Sequence, residues 1–178
     1  MVKPAGQRTA AIIAAPAVRL QGLTPCVTPH TQWLLLGSFP GLASLQAQQY
    51  YGHPRNQFWR LLGTVMRLPL AEADYATRLA LLREHDIGLW DVITETERAG
   101  SLDADIRDPL ASDLHGLLAR LPRLHTIAFN GGTAARLGLR QLGKLAQRYR
   151  VLSLPSSSPA YTLGFEQKLA AWQQLLTS

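Results

Sequence analysis

Cysteine is almost absent from this chain, since Cys26 is the only one among 178 residues. A single cysteine excludes an intrachain disulfide and any zinc or iron–sulfur site built from several thiolates. The five histidines are scattered without the paired spacing of metal ligands, so we predict no metal ion. So little cysteine suits a reducing compartment, and we expect a cytoplasmic location.

Long apolar runs are also missing. The N-terminal segment has only a short apolar stretch, interrupted by Pro16 and Arg19, which falls well short of a membrane span. We therefore expect no contact with a membrane and interpret residues 1–20 as a flexible tail. No repeat, low-complexity tract or linker follows residue 25, so residues 21–178 are predicted to form one domain.

Acidic residues are fewer than basic ones, 12 against 18, which gives a net charge of +6. The excess is mainly arginine, whose planar guanidinium suits contacts with phosphate. A surplus of this size is equally common on ordinary solvated surfaces. The net charge alone is therefore compatible with a nucleic-acid partner but does not identify one.

Apolar runs alternate with segments of helical periodicity along the chain. Asp108 followed by Pro109 has the chemistry of a helix N-cap and first helical residue. This alternation predicts an α/β fold, a three-layer α/β/α sandwich with a central, mainly parallel, four-stranded sheet. Strands are predicted over residues 33–37, 88–93, 124–129 and 149–154, and helices over 56–66, 71–85, 109–121, 133–142 and 165–176.

Three unusual loops follow predicted strands: GSFPG at 37–41, NGG at 130–132 and PSSSPAY at 155–161. In a parallel sheet, ligands bind beyond the carboxyl ends of the strands. Two glycines around a proline let the GSFPG backbone approach a ligand and expose N–H groups to it. The three loops are therefore expected to form one site at one edge of the sheet.

The motifs GSFPG and YYGHPRNQFW closely resemble the first motif of the mismatch-specific and hypoxanthine-specific branches of the uracil-DNA glycosylase superfamily. The similarity continues through GLWDVI, ERAGSLDADI, FNGGTAARL and LPSSSPAY, from about residue 22 onward. The pattern is most similar to the hypoxanthine-DNA glycosylase family. This resemblance implies an enzyme that flips a deaminated base, hypoxanthine above all, out of DNA and hydrolyses its glycosidic bond.

The resemblance carries the family's catalytic asparagine over to Asn56. Phe39 occupies the position where other branches place an acidic or amide residue, so motif one lacks a water-activating aspartate. The amide of Asn56 does not titrate, but it can hold water through its oxygen and a base or phosphate through its nitrogen. From the residues alone, Asn56 is either a helix cap or a group that projects into the cleft.

The resemblance also assigns the extruded base to an aromatic ring, Tyr51, stacked against it. His53 is either structural or in contact with the ligand, and Asn130 either bonds the base or braces the neighbouring loop. The SSSP motif corresponds to the loop that enters the minor groove of DNA, and its lack of histidine argues against strong uracil activity. The predicted base-binding residues are Gly37, Ser38, Phe39, Tyr51, His53 and Asn130, and the predicted DNA-binding residues are Ser156, Ser157, Ser158 and Pro159.

Other functions remain open at this stage. The site could prefer uracil or mismatched bases, or the chain could bind damaged DNA without turnover. A small-molecule nucleotide binder is disfavoured because neither G-x-G-x-x-G nor a P-loop motif occurs. No lysine lies in the site motifs, so we expect a monofunctional hydrolase. We further expect no cofactor and a monomer that acts on DNA containing a deaminated base. For the acidic segment from Ser101 to Asp105, a solvated loop is favoured over a lid or a group that orients Arg107, and we assign it no role.

Overall fold

The computed structural model describes residues 19–177, so residues 1–18 of the predicted tail lie outside the described part of the chain. The strands are β1 (Arg19–Gln21), β2 (Trp33–Gly37), β3 (Ile87–Asp91), β4 (Ile93–Glu97), β5 (Arg107–Ala111), β6 (Thr126–Asn130) and β7 (Arg150–Leu154). The helices are α1 (Leu42–Ala47), α2 (Phe58–Met66), α3 (Tyr75–Glu84), α4 (Leu114–Leu118), α5 (Gly132–Leu142) and α6 (Phe165–Trp172). No helix among these residues is long and apolar enough to cross a membrane.

The central sheet has four strands in the order β3-β2-β6-β7, and all of its pairings are parallel. β3 and β6 are buried along their whole length, and β2 is buried except at its first residue. Continuous burial is expected where helices cover both faces of a parallel sheet. The predicted architecture is confirmed.

Side chains alternate between the two faces of this sheet and feed two apolar layers. Leu35 and Leu89 pack with α2, α3 and α6 on one face. Leu34, Leu36 and Phe129 pack with α4 and α5 on the other. Because the two layers fix the positions of the strands, the loops at the carboxyl edge of the sheet are held on a rigid base.

A second, smaller sheet was not predicted. It is antiparallel, with three strands in the order β1-β4-β5. β4 follows β3 after Val92, and its sequence ITETE is polar at every position after the first. Short, partly exposed strands that pair across more than seventy residues of chain leave little local signal in the sequence.

The predicted helix start at Asp108-Pro109 is wrong. Pro109 lies inside β5, which is exposed along its whole length and, among the described residues, pairs only with β4. An edge strand tolerates proline because the missing N–H is not needed for pairing there. The helix α4 begins later, after Asp113, whose side chain accepts a hydrogen bond from the backbone N–H of Gly116 at 2.9 Å.

Candidate functional site

One cavity of about 610 Å³ opens at the carboxyl edge of the central sheet. The loops after β2, β6 and β7 all contribute to it, as does the segment between α1 and α2. All the residues predicted for the site from the sequence line this cavity, together with Asp91, Ser101 and Asp103, which the sequence analysis did not assign. Within residues 19–177, no cluster of three or more metal-ligating side chains occurs.

The floor of the cavity is formed where β2 and β3 end side by side. Gly37 is the last residue of β2 and pairs in register with Asp91, the last residue of β3. A Cβ atom on Gly37 would lie 2.4 Å from Asp91 Oδ1 and 3.2 Å from the hydroxyl of Tyr51. Glycine is therefore required at position 37, because the carboxyl group occupies the space of any side chain.

Asp91 is a buried carboxyl group, with 4% of its surface exposed. Its Oδ2 atom has no hydrogen-bond partner among the described residues. Burial raises the pKa of Asp91 to about 7; the nearby charge of Asp103 acts in the same direction, and the cation of Arg98 opposes them. The carboxyl group is therefore protonated for a large fraction of the time near neutral pH.

Tyr51 reaches the same floor from the segment between α1 and α2. Its backbone has a positive φ of 54°, and its ring stacks on that of Phe58 with centroids 3.6 Å apart. The hydroxyl is buried and makes no hydrogen bond among the described residues. Burial raises its pKa, and the nearby side chain of Asn130 acts in the opposite direction. Tyr50, by contrast, belongs to the core and donates its hydroxyl to the carbonyl of Thr24 at 2.8 Å. Both tyrosines line the cavity, but the Tyr50 hydroxyl is used within the protein, while the Tyr51 hydroxyl makes no hydrogen bond among the described residues.

Asn56 and His53 share a tight turn before α2. Asn56 Oδ1 accepts a hydrogen bond from the N–H of Phe58 at 2.9 Å, and the Asn56 N–H donates to the His53 carbonyl at 2.9 Å. The Asn56 side chain therefore holds the first N–H of α2 from the residue before its N-cap, Gln57, and Asn56 also lines the cavity. His53 Nδ1 accepts from the N–H of Arg55 at 3.1 Å, which leaves Nε2 for a ligand.

Asn130 braces the serine loop. Its Nδ2 donates to Ser157 Oγ at 2.8 Å, and its Oδ1 accepts from the Ser157 N–H at 2.9 Å. Ser157 has no exposed surface, and its carbonyl accepts from the N–H of Gln57 at 3.0 Å. The Ser157 hydroxyl thus points into the protein, where it holds the loop in position, while direct bonding of Asn130 to a base stays a prediction.

The remaining predicted DNA contacts lie on the outer part of this loop. Ser156 Oγ and Ser158 Oγ accept from backbone N–H groups two residues further on, both at 3.2 Å. Pro159 is exposed at the tip. The buried Lys168 donates to the Ser158 carbonyl at 3.3 Å and so supports the loop from below. The loop is accordingly a stiff projection at the cavity rim.

Phe39 differs from the other predicted base contacts, because its side chain is only 6% exposed and packs in the layer of α4 and α5. The guanidinium of Arg98 lies over its ring at 5.1 Å and donates to the carbonyl of Pro40. Phe39 therefore anchors the GSFPG turn, and its ring contributes little to the cavity surface.

The acidic segment is part of the cavity wall. Ser38 Oγ donates to Asp103 Oδ1 at 2.5 Å, and Ser101 Oγ accepts from the N–H of Leu42 at 3.0 Å. Arg107 instead donates to the carbonyl oxygens of Ala104 and Ile106. The segment is thus tied to the GSFPG loop and the start of α1, which is more than the solvated loop that its composition suggested.

Comparison with known proteins places this arrangement in a family. A family model described as the uracil DNA glycosylase superfamily matches residues 25–176. A relative from Methanosarcina barkeri strain Fusaro, named hypoxanthine DNA glycosylase, is 35% identical over 159 residues, which are 88% of this chain and 98% of the relative. A second protein of that name, from Methanosarcina acetivorans, is 37% identical over 155 residues, which are 86% of this chain and 95% of the relative.

A solved structure agrees with this placement. A solution NMR structure from Methanosarcina acetivorans, described as that of a candidate uracil DNA glycosylase, superposes with a TM-score of 0.77. It is 36% identical in sequence, and the match covers 89% of this chain and 96% of that one. The resemblance seen in the motifs is confirmed, and the chain belongs to the uracil DNA glycosylase superfamily.

Proposed function

We propose that this protein is a monofunctional DNA glycosylase that removes hypoxanthine from DNA by hydrolysis. The observation that carries the proposal is the cavity itself, in which the GSFPG turn, the HPRN turn and the serine loop meet beside the ring of Tyr51. Relatives named hypoxanthine DNA glycosylase, 35% and 37% identical over most of their length, support the choice of base. We also propose that the enzyme acts in the cytoplasm as a monomer without a cofactor.

Each part of the cavity has a task in this reaction. The rigid serine loop presses against the DNA backbone while the nucleotide is turned out of the helix. The ring of Tyr51, supported from behind by Phe58, offers a flat surface to the base. Asn56 presents its amide to the attacking water or to the leaving base. The hydrogen bond between its side-chain oxygen and the start of α2 holds the amide in place.

Hydrolysis without strand cleavage follows from the side chains available. A lyase forms a Schiff base between an amine and the sugar. The cavity lining, as far as the chain is described, contains no lysine. The proposed product is therefore free base and an intact strand with an abasic site.

The test uses labelled duplexes with a single hypoxanthine, uracil or xanthine, with alkali to reveal abasic sites. Wild-type protein is expected to release hypoxanthine, and Asn56→Ala to lower the rate by about 10²–10³-fold. Asn56→Ser is the matched control, because its hydroxyl can still cap α2 while the amide is lost. A serine variant as slow as the alanine variant assigns the loss to the amide rather than to the cap.

Two results would overturn the proposal. Release of uracil in preference to hypoxanthine would assign the activity suggested by the description of the solved relative. Binding to lesion duplexes without release of any base would show a sensor of damaged DNA instead of an enzyme.

A further inference from the structure

Asp91 has a feature that the roles described so far do not explain. Its carboxyl group lies at the cavity floor, almost entirely buried, with Oδ2 unpartnered among the described residues. Buried carboxyl oxygens in a structural role are satisfied by hydrogen bonds, because leaving them bare costs free energy. Ser112 does donate to this residue, but to its backbone carbonyl at 2.6 Å. The side chain is thus buried without a hydrogen bond to compensate for its loss of hydration.

The carboxyl group lies just beneath the cavity surface, with Oδ2 covered from solvent. Gly37, directly alongside in the neighbouring strand, has no side chain to cover it. The Tyr51 hydroxyl, also unpartnered, lies at the same point of the floor. Two unsatisfied polar groups next to each other, at the bottom of a cavity that admits a flat base, form a site for hydrogen bonding to that base.

We propose that Asp91 is a second catalytic residue, a general acid that donates the proton of its carboxyl group to a ring nitrogen of the departing purine. This inference rests on the proposed function, because it concerns the base that leaves the same cavity. It also names the substrate class: a 6-oxopurine, whose N3 and N7 atoms accept a proton. Asn56 handles the water on the sugar side, and Asp91 handles the leaving group.

The protonation state of Asp91 fits this role. Its pKa of about 7 means that the acid form is well populated at neutral pH. The titratable groups around it come from three segments. They are Asp103 from the acidic segment, Arg98 from the turn after β4, and Tyr50 and Tyr51, whose raised pKa keeps their phenols neutral. Asp103 favours the acid form and Arg98 disfavours it, so burial decides the outcome.

The oxygen of a water molecule bonds to C1′, and the C1′–N9 bond breaks with its electron pair passing to the purine. The Asp91 proton moves to N3 or N7 of the purine, which leaves as a neutral molecule. The attacking water loses one proton to solvent, and the Asp91 carboxylate takes one back before the next turnover.

The first experiment measures single-turnover release of hypoxanthine between pH 5 and 9 for wild type and Asp91→Asn. The wild-type rate is expected to fall tenfold per pH unit above about pH 7, because only the protonated carboxyl group acts. The variant is expected to be about 10²–10³-fold slower at pH 6 and to lose this pH dependence. His53 lines the same cavity, so His53→Gln serves as the control and should keep the falling limb.

The second experiment leaves the protein unchanged, so that it does not depend on the folding of the variant. Duplexes carrying 7-deazahypoxanthine or 3-deazahypoxanthine remove one candidate proton acceptor at a time. For the analogue that lacks the acceptor, the wild-type rate is expected to lose its falling limb above pH 7. If both analogues keep the limb, no ring nitrogen receives the proton and the inference is overturned.

The two proposals fail in different ways. If wild-type protein releases no hypoxanthine at any pH, both the proposed function and the role of Asp91 as a general acid are overturned. If wild type releases hypoxanthine and Asp91→Asn shows the same rate and pH profile, only the role of Asp91 is overturned.

Discussion

The two walls of the cavity use polar groups in opposite ways. In the wall after β6 and β7, Asn130 and Ser157 satisfy each other through two hydrogen bonds. In the wall after β2 and β3, Asp91 and Tyr51 leave polar atoms buried without partners in the described chain. The polar groups of the first wall therefore stabilise the structure of the loop, while those of the second wall are available to bind a ligand.

This difference separates two kinds of substitution. Changes in the paired wall should lower the free energy of unfolding, since they leave buried groups unsatisfied. Changes in the unpaired wall should lower the rate with little loss of stability, since no protein contact disappears. Four variants test this division.

Gly37→Ala is expected to have the largest effect. Its new Cβ would stand 2.4 Å from Asp91 Oδ1 and must displace the carboxyl group from the floor. A displacement of this size costs about 10²-fold in the rate of hypoxanthine release, measured in single turnover. Gly164→Ala is the control, because its Cβ finds only the Gln167 side chain, at 3.5 Å. Equal rates for the two variants would show that the floor tolerates the methyl group.

Asn130→Ala should act mainly on stability. It leaves both the N–H and the hydroxyl of the fully buried Ser157 without their partner. The free energy of unfolding is expected to fall by about 3 kcal/mol in urea denaturation. Ser157→Ala removes only one of the two bonds and should cost about 1 kcal/mol. A cost below 1 kcal/mol for Asn130→Ala would show that the loop is held by other contacts.

The pH dependence of stability should reveal Asp91 in the folded protein. Burial raises its folded pKa to about 7, so between pH 4 and 7 the folded chain keeps a proton that the unfolded chain loses. The contribution of Asp91 is complete below pH 4 and falls by about 1.4 kcal/mol per pH unit up to pH 7. The difference in unfolding free energy between wild type and Asp91→Asn, measured from pH 4 to 8, should therefore change with pH by this amount per unit. Parallel curves would contradict the raised pKa.

Tyr51→Phe is expected to have the smallest effect on stability. The hydroxyl that it removes has no partner among the described residues, while the ring keeps its stacking on Phe58. We expect a change below about 0.5 kcal/mol in unfolding free energy, with a rate about tenfold lower if the hydroxyl bonds the base. Tyr50→Phe should behave oppositely, losing about 1 kcal/mol with its bond to Thr24. A loss of stability in Tyr51→Phe would show that its hydroxyl makes a stabilising contact, as the polar groups in the wall after β6 and β7 do.

The sequence predicted the central sheet well because its strands are nearly pure apolar runs. WLLLG and TIAFN are buried on both faces, and the unusual loops that follow them identified the edge where the cavity lies. The small sheet was missed because β4 is polar, β5 is exposed, and β1 pairs with β4 across more than seventy residues of chain. Asp108 and Pro109 showed the residue types of a helix start, yet tertiary pairing at an edge strand outweighed this local preference.

Asp91 was missed for a related reason. The predicted strand ran from residue 88 to 93, which placed the carboxylate in the middle of a strand rather than at its end. The structure ends β3 at Asp91 and begins β4 at Ile93, so the carboxyl group lies at the functional edge. The three serines of the loop likewise look equivalent in the sequence. Only the pairing of Ser157 with Asn130, 27 residues away, distinguishes it from the other two.

The exposed strand β5 also bears on how the protein behaves in concentrated solution. An open strand edge offers a row of N–H and C=O groups to which another chain can add a strand, the first step of many aggregates. Pro109 removes a donor from this row, and Asp108, with a φ of 43°, turns the backbone out of an extended line. The edge therefore discourages intermolecular strand addition.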